Sequence, residues 1–134
     1  MPENLQQPLV LVVDHDCDVV QQVETTLTAI GYTCRCCATA DEAMAAAGRQ
    51  RPDLVIAEST LHGESGPRLC ERIRQEPTLA DVPVMFLSAA QIPDIIRRSY
   101  EGEGSYSLRK PFDAEVLVEL VETALAKPQF VVRS

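Results

Sequence analysis

Short runs of consecutive aliphatic residues alternate along the chain with stretches whose apolar residues recur every three or four positions. A continuous aliphatic run predicts a strand buried on both faces of a sheet, whereas the wider spacing predicts an amphipathic helix. The runs predict strands at residues 9–13, 32–37, 53–58, 83–88 and 105–109. The spaced patterns predict helices that begin after Asp16, at Asp41, at Pro67, at Ile92 and after Asp113.

The first and last predicted helices carry the clearest apolar stripes. We expect their inward faces to hold Val19, Val20, Val23, Leu27 and Ile30 in the first, and Val116, Leu117, Leu120, Val121 and Leu125 in the last. Asp16 suits the N-cap of the first helix, and Gly31 suits its end. Pro67 suits the first residue of the third helix.

Five strands, each followed by a helix, predict an α/β fold of the (βα)5 type. Parallel strands need such crossovers, so the expected architecture is a doubly wound, flavodoxin-like, five-stranded parallel sheet. Functional sites of open α/β sheets lie outside the carboxyl ends of the strands. This rule selects the residues that follow four of the strands: Asp14 to Asp16, Glu58 to Thr60, Ser88 with Ala89, and Lys110.

Length and composition favour one soluble domain. A chain of 134 residues suits a single core, which we place at residues 9–126. Residues 1–8 form an N-terminal extension, and residues 127–134 form a tail or the start of a linker. The net charge of −8 disfavours direct nucleic-acid binding. Neither a membrane-length apolar run nor a signal peptide is evident, so we expect a cytoplasmic protein without membrane contact.

The five cysteines do not form a recognisable framework. An odd number in a protein expected in the cytoplasm disfavours disulfides, and a zinc site would need a second spaced pair of ligands. We therefore favour small apolar side chains on a strand for Cys34, Cys36 and Cys37, with metal or redox chemistry as the alternative.

Several segments together resemble the receiver domains of two-component signalling, over about residues 9–126. The similar segments are Val12-Val13-Asp14-His15-Asp16, Pro52-Asp53-Leu54-Val55-Ile56, Gly66, Pro83 to Ala89, and Lys110-Pro111-Phe112. Each segment alone is weak, but their common order and spacing make a specific pattern.

The resemblance implies a site and a mechanism. In the family, an aspartate after the third strand accepts a phosphoryl group from a histidine kinase, and Mg²⁺ is held there by acids. The acceptor position falls on Glu58, and the acid-pair positions fall on Asp14 and His15. The resemblance further implies roles for Ser88 and Lys110, a metal contact from the Thr60 backbone, and a cis bond before Pro111.

Three positions depart from the family pattern. Glu58 replaces the aspartate, and its extra methylene moves the carboxylate by about 1.5 Å, a damaging displacement for in-line transfer. His15 replaces an acid, although Mg²⁺ prefers oxygen ligands, so we treat Mg²⁺ binding as doubtful. An imidazole would instead suit Zn²⁺, Ni²⁺ or Cu²⁺. The aromatic switch position falls on Ser107, with Tyr106 one place away.

We therefore predict a pseudo-receiver: a non-enzymatic, phosphorylation-independent interaction module. Glu58 supplies a fixed charge near Ser88 and Lys110, or forms a structural ion pair with Lys110. The expected partner is a histidine kinase or another signalling protein. The face of the fourth helix, fifth strand and fifth helix would bind it or a second copy of the chain, and Arg97 and Arg98 are either solvated or part of that face.

Two other functions remain open on the sequence alone. One is a working phosphorelay receiver in which Glu58 or another residue accepts phosphate. The other is a small flavodoxin-like redox or ligand-binding protein, since a fold does not determine a function. A glycine-rich phosphate loop after the first strand would favour flavin binding, but Asp14-His15-Asp16 stands there.

Overall fold

The computed structural model describes residues 7–61, 64–88 and 105–126. Its main sheet has five parallel strands: β1 Leu9–Val13, β2 Thr33–Cys37, β3 Leu54–Glu58, β4 Val84–Ser88 and β5 Ser105–Arg109. Their spatial order is β2-β1-β3-β4-β5. This arrangement confirms the predicted doubly wound, flavodoxin-like fold, because the order reverses direction between β1 and β3.

Four helices belong to the described residues. They are α1 Cys17–Ala29, α2 Ala40–Arg49, α3 Gly66–Gln75 and a C-terminal helix Ala114–Ala126. None of the helices in this part of the chain is both long and apolar enough to cross a bilayer. The predicted helix at residues 92–100, with Arg97 and Arg98, lies outside the described residues.

Two apolar clusters cover the two faces of the sheet. Val10 and Val12 of β1 point to one cluster, which α1 and the C-terminal helix complete. Leu11 and Val13 point to the other cluster, which α2 and α3 complete. Because both faces are covered, β1, β3 and β4 are buried at every position. That burial explains their continuous aliphatic sequences.

The helix ends follow local capping chemistry. The Asp16 carboxylate accepts a hydrogen bond from the Asp18 backbone N–H at 3.0 Å, which confirms Asp16 as the N-cap of α1. Gly31, just beyond α1, has φ of 102°, a conformation that glycine adopts without a steric penalty. The helix α3 begins at Gly66, one residue before the predicted Pro67.

Two residues of the predicted apolar stripes do not face the core. Ile30 is 45% exposed and Val116 is 40% exposed. Ile30 is the C-cap residue of α1, where the chain leaves the helical phase. Val116 precedes the fully buried Leu117, and consecutive helical residues point about 100° apart. The prediction of inward positions for these two residues was wrong.

Candidate functional site

Three buried polar or charged residues lie in the described part of the chain, and all three follow the carboxyl-end rule. They are Asp14, Glu58 and Ser88, with 2%, 8% and 6% of their surface exposed. Asp14 directly follows β1, Glu58 ends β3 and Ser88 ends β4. Buried carboxylates are rare unless they have partners, so this edge of the sheet is the candidate functional site.

Asp14 is fixed by contacts on both side-chain oxygens. Its Oδ1 accepts a hydrogen bond from the Asp16 backbone N–H at 2.9 Å, and its Oδ2 accepts one from Lys110 Nζ at 2.8 Å. Its own backbone N–H donates to the Cys37 carbonyl at 3.1 Å, which extends the β1–β2 ladder. The side chain is fully buried, so Lys110 provides the charge that compensates this carboxylate.

Lys110 joins the ends of β4 and β5 to the acidic pair. Its backbone N–H donates to the Ser88 carbonyl at 2.8 Å, and the Lys110–Pro111 peptide bond is cis, as the resemblance implied. Its Nζ lies 2.8 Å from Asp14 Oδ2 and 3.4 Å from Glu58 Oε2. The lysine therefore neutralises part of the charge of both carboxylates, with Asp14 as the closer partner.

Glu58 lies between two cationic or potentially cationic groups. Its Oε2 faces Lys110, and its Oε1 lies 2.8 Å from His15 Nδ1. Within the described residues, however, the buried Oε1 receives no hydrogen bond of acceptable geometry. The carboxylate is thus close to the Lys110 ammonium group and the His15 imidazole, yet one of its oxygens remains poorly satisfied.

The surroundings of Glu58 raise the pKa of its carboxyl group above the ordinary 4.5. Burial is the largest cause, followed by hydrogen bonding to Asp14 and by the negative charge of Asp14. Lys110 and then His15 act in the opposite direction and favour the carboxylate. The site therefore places two carboxyl groups together, and burial together with this proximity raises the pKa of Glu58 even though Lys110 and His15 act in the opposite direction.

Gly66 makes a close backbone approach behind Glu58 possible. Its N–H donates to the Ser59 carbonyl at 3.0 Å, and the Ser59 N–H donates to the Leu87 carbonyl at 2.8 Å. A Cβ atom on Gly66 would lie 2.9 Å from Ser59 Cα and would collide with the Glu58 carbonyl oxygen. A glycine is required here because any side chain would displace the end of β3.

His15 is the site residue whose contact was missed by sequence reasoning. The loop after β1 and the end of β3 are adjacent because the two strands pair, with Val13 opposite Ala57. The strand order predicts that neighbourhood, but not that the imidazole turns toward Glu58. The His15 side chain is 41% exposed, so it forms the solvent-facing side of the site.

The ligand set at this edge does not suit Mg²⁺. Ligand atoms of Asp14, His15 and Glu58 lie within 4.8 Å of one another. Two of the three groups are carboxylates, but the third is an imidazole, and Mg²⁺ prefers oxygen ligands in octahedral geometry. Asp16 does not replace the missing acid, since its carboxylate caps α1. Thr60 lies two residues after Glu58 in a two-stranded ribbon, Thr60–Leu61 with Glu64–Ser65.

The two candidate switch residues face opposite sides of β5. Tyr106 is half-buried against the cluster beneath α1 and the C-terminal helix, and this burial raises the pKa of its hydroxyl group. Ser107 is exposed and pairs with Phe86 of β4. The tyrosine at position 106 therefore points away from the face that the aromatic switch would use, and the assignment of a switch stays a prediction.

Two cysteine thiols of β2 have raised pKa values. All five are free thiols. Burial, with added repulsion from neighbouring groups such as Glu24, raises the pKa of Cys34 to about 12 and of Cys36 to about 11. Because the thiolate is the reactive and metal-binding form, these values support the interpretation of Cys34 and Cys36 as small apolar side chains.

Comparisons with known proteins agree with this geometry. The family described as response regulator receiver domain matches residues 10–122. Among solved structures, a response regulator from Chloroflexus aurantiacus has a TM-score of 0.83 and 32% identity, and covers 91% of this chain and 100% of that one. The chemotaxis response regulator CheY4 of Vibrio cholerae has a TM-score of 0.82 and 26% identity, with 90% and 100% covered.

Curated relatives are longer proteins. The DNA-binding dual master transcriptional regulator RpaA of Synechocystis is 31% identical over 121 residues, which are 90% of this chain and 50% of RpaA. The DNA-binding transcriptional regulator NtrC of Salmonella typhimurium is 30% identical over 125 residues, 93% of this chain and 26% of NtrC. The chain thus spans half or less of the length of these relatives. From the family match over residues 10–122 and the shared fold, the chain belongs to the response regulator receiver domains of two-component signalling.

Proposed function

We propose that this chain is a pseudo-receiver, which regulates a partner without being phosphorylated and uses Glu58 as a fixed negative charge. The burial of the Glu58 carboxylate and its distances to neighbouring groups are the main support for this proposal. It is buried at the acceptor position and lies 2.8 Å from His15 Nδ1 and 3.4 Å from Lys110 Nζ. A phosphoryl acceptor needs an oxygen free for attack, whereas Glu58 is only 8% exposed and its two oxygens face His15 and Lys110.

Two further features act against phosphoryl transfer. The extra methylene of glutamate shifts the nucleophilic oxygen by about 1.5 Å, and transfer depends steeply on alignment. The position beside Asp14 holds His15, so the metal that would offset charge on the transferring group loses an oxygen ligand. Both features affect the chemistry and leave the sheet unchanged.

The proposed charge reproduces part of a phosphorylated site. A carboxylate carries one negative charge, and a phosphoryl group carries about −1.5 to −2 at neutral pH. Lys110, only 12% exposed, lies where it contacts both Asp14 and Glu58. The contact between Lys110 and Glu58 is therefore both a structural ion pair and the contact through which the Glu58 charge would act on the site.

The proposed partner is a histidine kinase or another signalling protein. The contact surface would be the face made by the predicted fourth helix, β5 and the C-terminal helix, and the same face would serve a homodimer. Ser107 and Arg109 are exposed on the described part of this face. The net charge of −8 supports a protein partner rather than direct contact with nucleic acid.

Intact-mass measurement with acetyl phosphate and Mg²⁺ tests the proposal on three proteins: native, Glu58→Asp and Glu58→Asp/His15→Asp. We expect no phosphoryl adduct on the native chain and an adduct on the double variant. An adduct on Glu58→Asp alone would show that His15 still permits metal binding. A native adduct mapped to Glu58 would contradict the proposal.

A working phosphorelay receiver is the second candidate. The features that favour it are the buried Asp14 and Ser88 and the 2.8 Å contact from Lys110 to Asp14. Lys110 would neutralise charge on a phosphoryl group, and Ser88 would hydrogen-bond it, if an acceptor were available. The native adduct described above is the result that would establish this function.

A further inference from the structure

The four carboxylate oxygens of Asp14 and Glu58 are divided between two sides of the site. Asp14 Oδ2 and Glu58 Oε2 lie 2.8 and 3.4 Å from Lys110 Nζ. Asp14 Oδ1 and Glu58 Oε1 lie 3.9 and 2.8 Å from His15 Nδ1. One oxygen of each carboxylate therefore faces the lysine, and the other faces the imidazole.

Of the two oxygens on the imidazole side, Asp14 Oδ1 accepts a hydrogen bond from the Asp16 backbone N–H, but Glu58 Oε1 is unsatisfied within the described part of the chain. Glu58 is 8% exposed, and its Oε1 has no hydrogen-bond partner among the described residues. A buried carboxylate oxygen without a partner is costly, and such atoms are uncommon in folded proteins. Glu58 Oε1 is therefore an oxygen that a cation could satisfy.

We propose that Asp14 Oδ1, Glu58 Oε1 and His15 Nδ1 bind a divalent transition-metal ion of the Zn²⁺ class in place of Mg²⁺. Imidazole and carboxylate together suit Zn²⁺, Ni²⁺ and Cu²⁺. Three protein ligands leave one position of a tetrahedral Zn²⁺ site for water. The replacement of an acid by His15 changes which metal the site prefers.

The present geometry needs only a small adjustment to hold the ion. Zn²⁺ bonds of about 2.0–2.2 Å place neighbouring ligand atoms roughly 3.3 Å apart. His15 Nδ1 lies 2.8 Å from Glu58 Oε1 and 3.9 Å from Asp14 Oδ1, and ligand atoms of the three residues lie within 4.8 Å of one another. The imidazole is 41% exposed, so its ring can move without disturbing the core, and the ion can enter from solvent.

Lys110 does not compete for this position. It contacts Oδ2 and Oε2, whereas the proposed ligands are Oδ1 and Oε1. With a neutral imidazole, two carboxylates and one lysine leave a net local charge of −1, which attracts a divalent cation. The proposed metal site does not depend on the pseudo-receiver role. Calorimetry tests metal binding, whereas intact mass tests phosphoryl transfer, so failure of one proposal can be told from failure of the other.

Calorimetric titration with zinc sulfate and with magnesium chloride tests the proposal on the native chain. We expect one equivalent of Zn²⁺ to bind at least about tenfold more tightly than Mg²⁺. The variant His15→Asn should lose at least about tenfold in Zn²⁺ affinity, since even outer-shell changes cost that much. The variant His15→Asp should bind Mg²⁺ more tightly than the native chain.

Two matched controls separate this site from other ligands in the chain. His62→Asn removes the other histidine, and Cys36→Ser removes a thiol of β2; both should leave Zn²⁺ affinity unchanged. Long-range ¹H–¹⁵N spectra of the native chain should show the His15 Nδ1 resonance moving on addition of Zn²⁺. Absence of Zn²⁺ binding, binding that survives His15→Asn, or binding lost in Cys36→Ser would overturn the proposal.

Discussion

The two halves of the site differ in how closely they follow the receiver pattern. At the ends of β4 and β5, Ser88 and Lys110 match the pattern, and the bond before Pro111 is cis. At the ends of β1 and β3, His15 and Glu58 replace acids of the pattern. The matching half is tied into the fold: Lys110 contacts the fully buried Asp14 and donates to the Ser88 carbonyl.

The half that holds His15 and Glu58 contributes less to the stability of the fold. His15 is 41% exposed, and Glu58 keeps the charge type of the acid that it replaces but is one methylene longer. Changes at these positions alter the nucleophile and the metal ligands without removing the contacts that hold the strand ends together. Substitutions in the half that matches the pattern are therefore expected to reduce the stability of the fold. Substitutions in the half that departs from it are expected mainly to alter the chemistry of the site.

Removal of the lysine should have the largest effect on stability. Lys110→Met would leave the buried Asp14 carboxylate without its charged partner, and loss of one member of a buried pair costs about 3–5 kcal/mol. Urea unfolding at pH 7 measures the change. The control Asp41→Asn breaks the exposed Asp41–Arg72 pair and should cost less than about 1 kcal/mol. Equal losses of unfolding free energy in the two variants would show that Lys110 stabilises the fold no more than an exposed ion pair does.

A side chain at Gly66 should be the next most damaging change. In Gly66→Ala, the new Cβ would collide with the Glu58 carbonyl oxygen, and overpacking of this kind costs about 1–3 kcal/mol. Gly48→Ala is the matched control, because among the described residues no atom outside its own stretch of α2 backbone lies within 4 Å of its Cβ position. That control should gain about 0.5–1 kcal/mol. Thermal or urea unfolding distinguishes the two signs.

The pH dependence of stability should reveal the environment of Glu58. The pKa of Glu58 is raised in the folded protein, so the folded state holds its proton more tightly than the unfolded state. The resulting stabilisation is present below the ordinary pKa of 4.5 and is lost as pH rises through the higher folded value. The free energy of unfolding of the native chain, relative to Glu58→Gln, should therefore fall as pH rises across this window. A relative increase would contradict the raised pKa.

The smallest effect is expected for His15→Asn. The side chain is partly exposed and contributes to neither apolar cluster, so the free energy of unfolding should change by less than about 0.5 kcal/mol. Urea unfolding in the presence of a metal chelator measures this change without any bound ion. A loss as large as that of Lys110→Met would show that His15 also belongs to the stabilising half.

Most of the fold could be predicted because hydrophobic patterns follow burial directly. The strands β1, β3 and β4 were evident as aliphatic runs, and their burial on both faces explains why. The two-residue strands Thr60–Leu61 and Glu64–Ser65 were not predicted, since such short segments carry no periodicity. Ile30 was placed inside because a stripe in the sequence does not show where the helix ends.

The members of the site could be predicted, but their contacts could not. Strand ends alone brought Asp14, Glu58, Ser88 and Lys110 to one edge of the sheet. The division of the carboxylate oxygens between Lys110 and His15 depends on side-chain rotamers, which sequence spacing does not determine. Neither the domain boundaries near residues 9 and 126 nor the functional roles of these residues are tested by the fold, and they stay predictions.

Titration of the Glu58 carboxyl group tests most directly whether this side chain supplies the proposed negative charge. Carboxyl ¹³C shifts, with the Glu58 resonance assigned by comparison with Glu58→Gln, report the ionisation of this side chain as pH is varied. We expect a midpoint above the ordinary 4.5 but a carboxylate that is ionised at pH 7, because Lys110 and His15 favour its charge. A Glu58 side chain that is still protonated at pH 7 would supply no negative charge and would contradict the pseudo-receiver role.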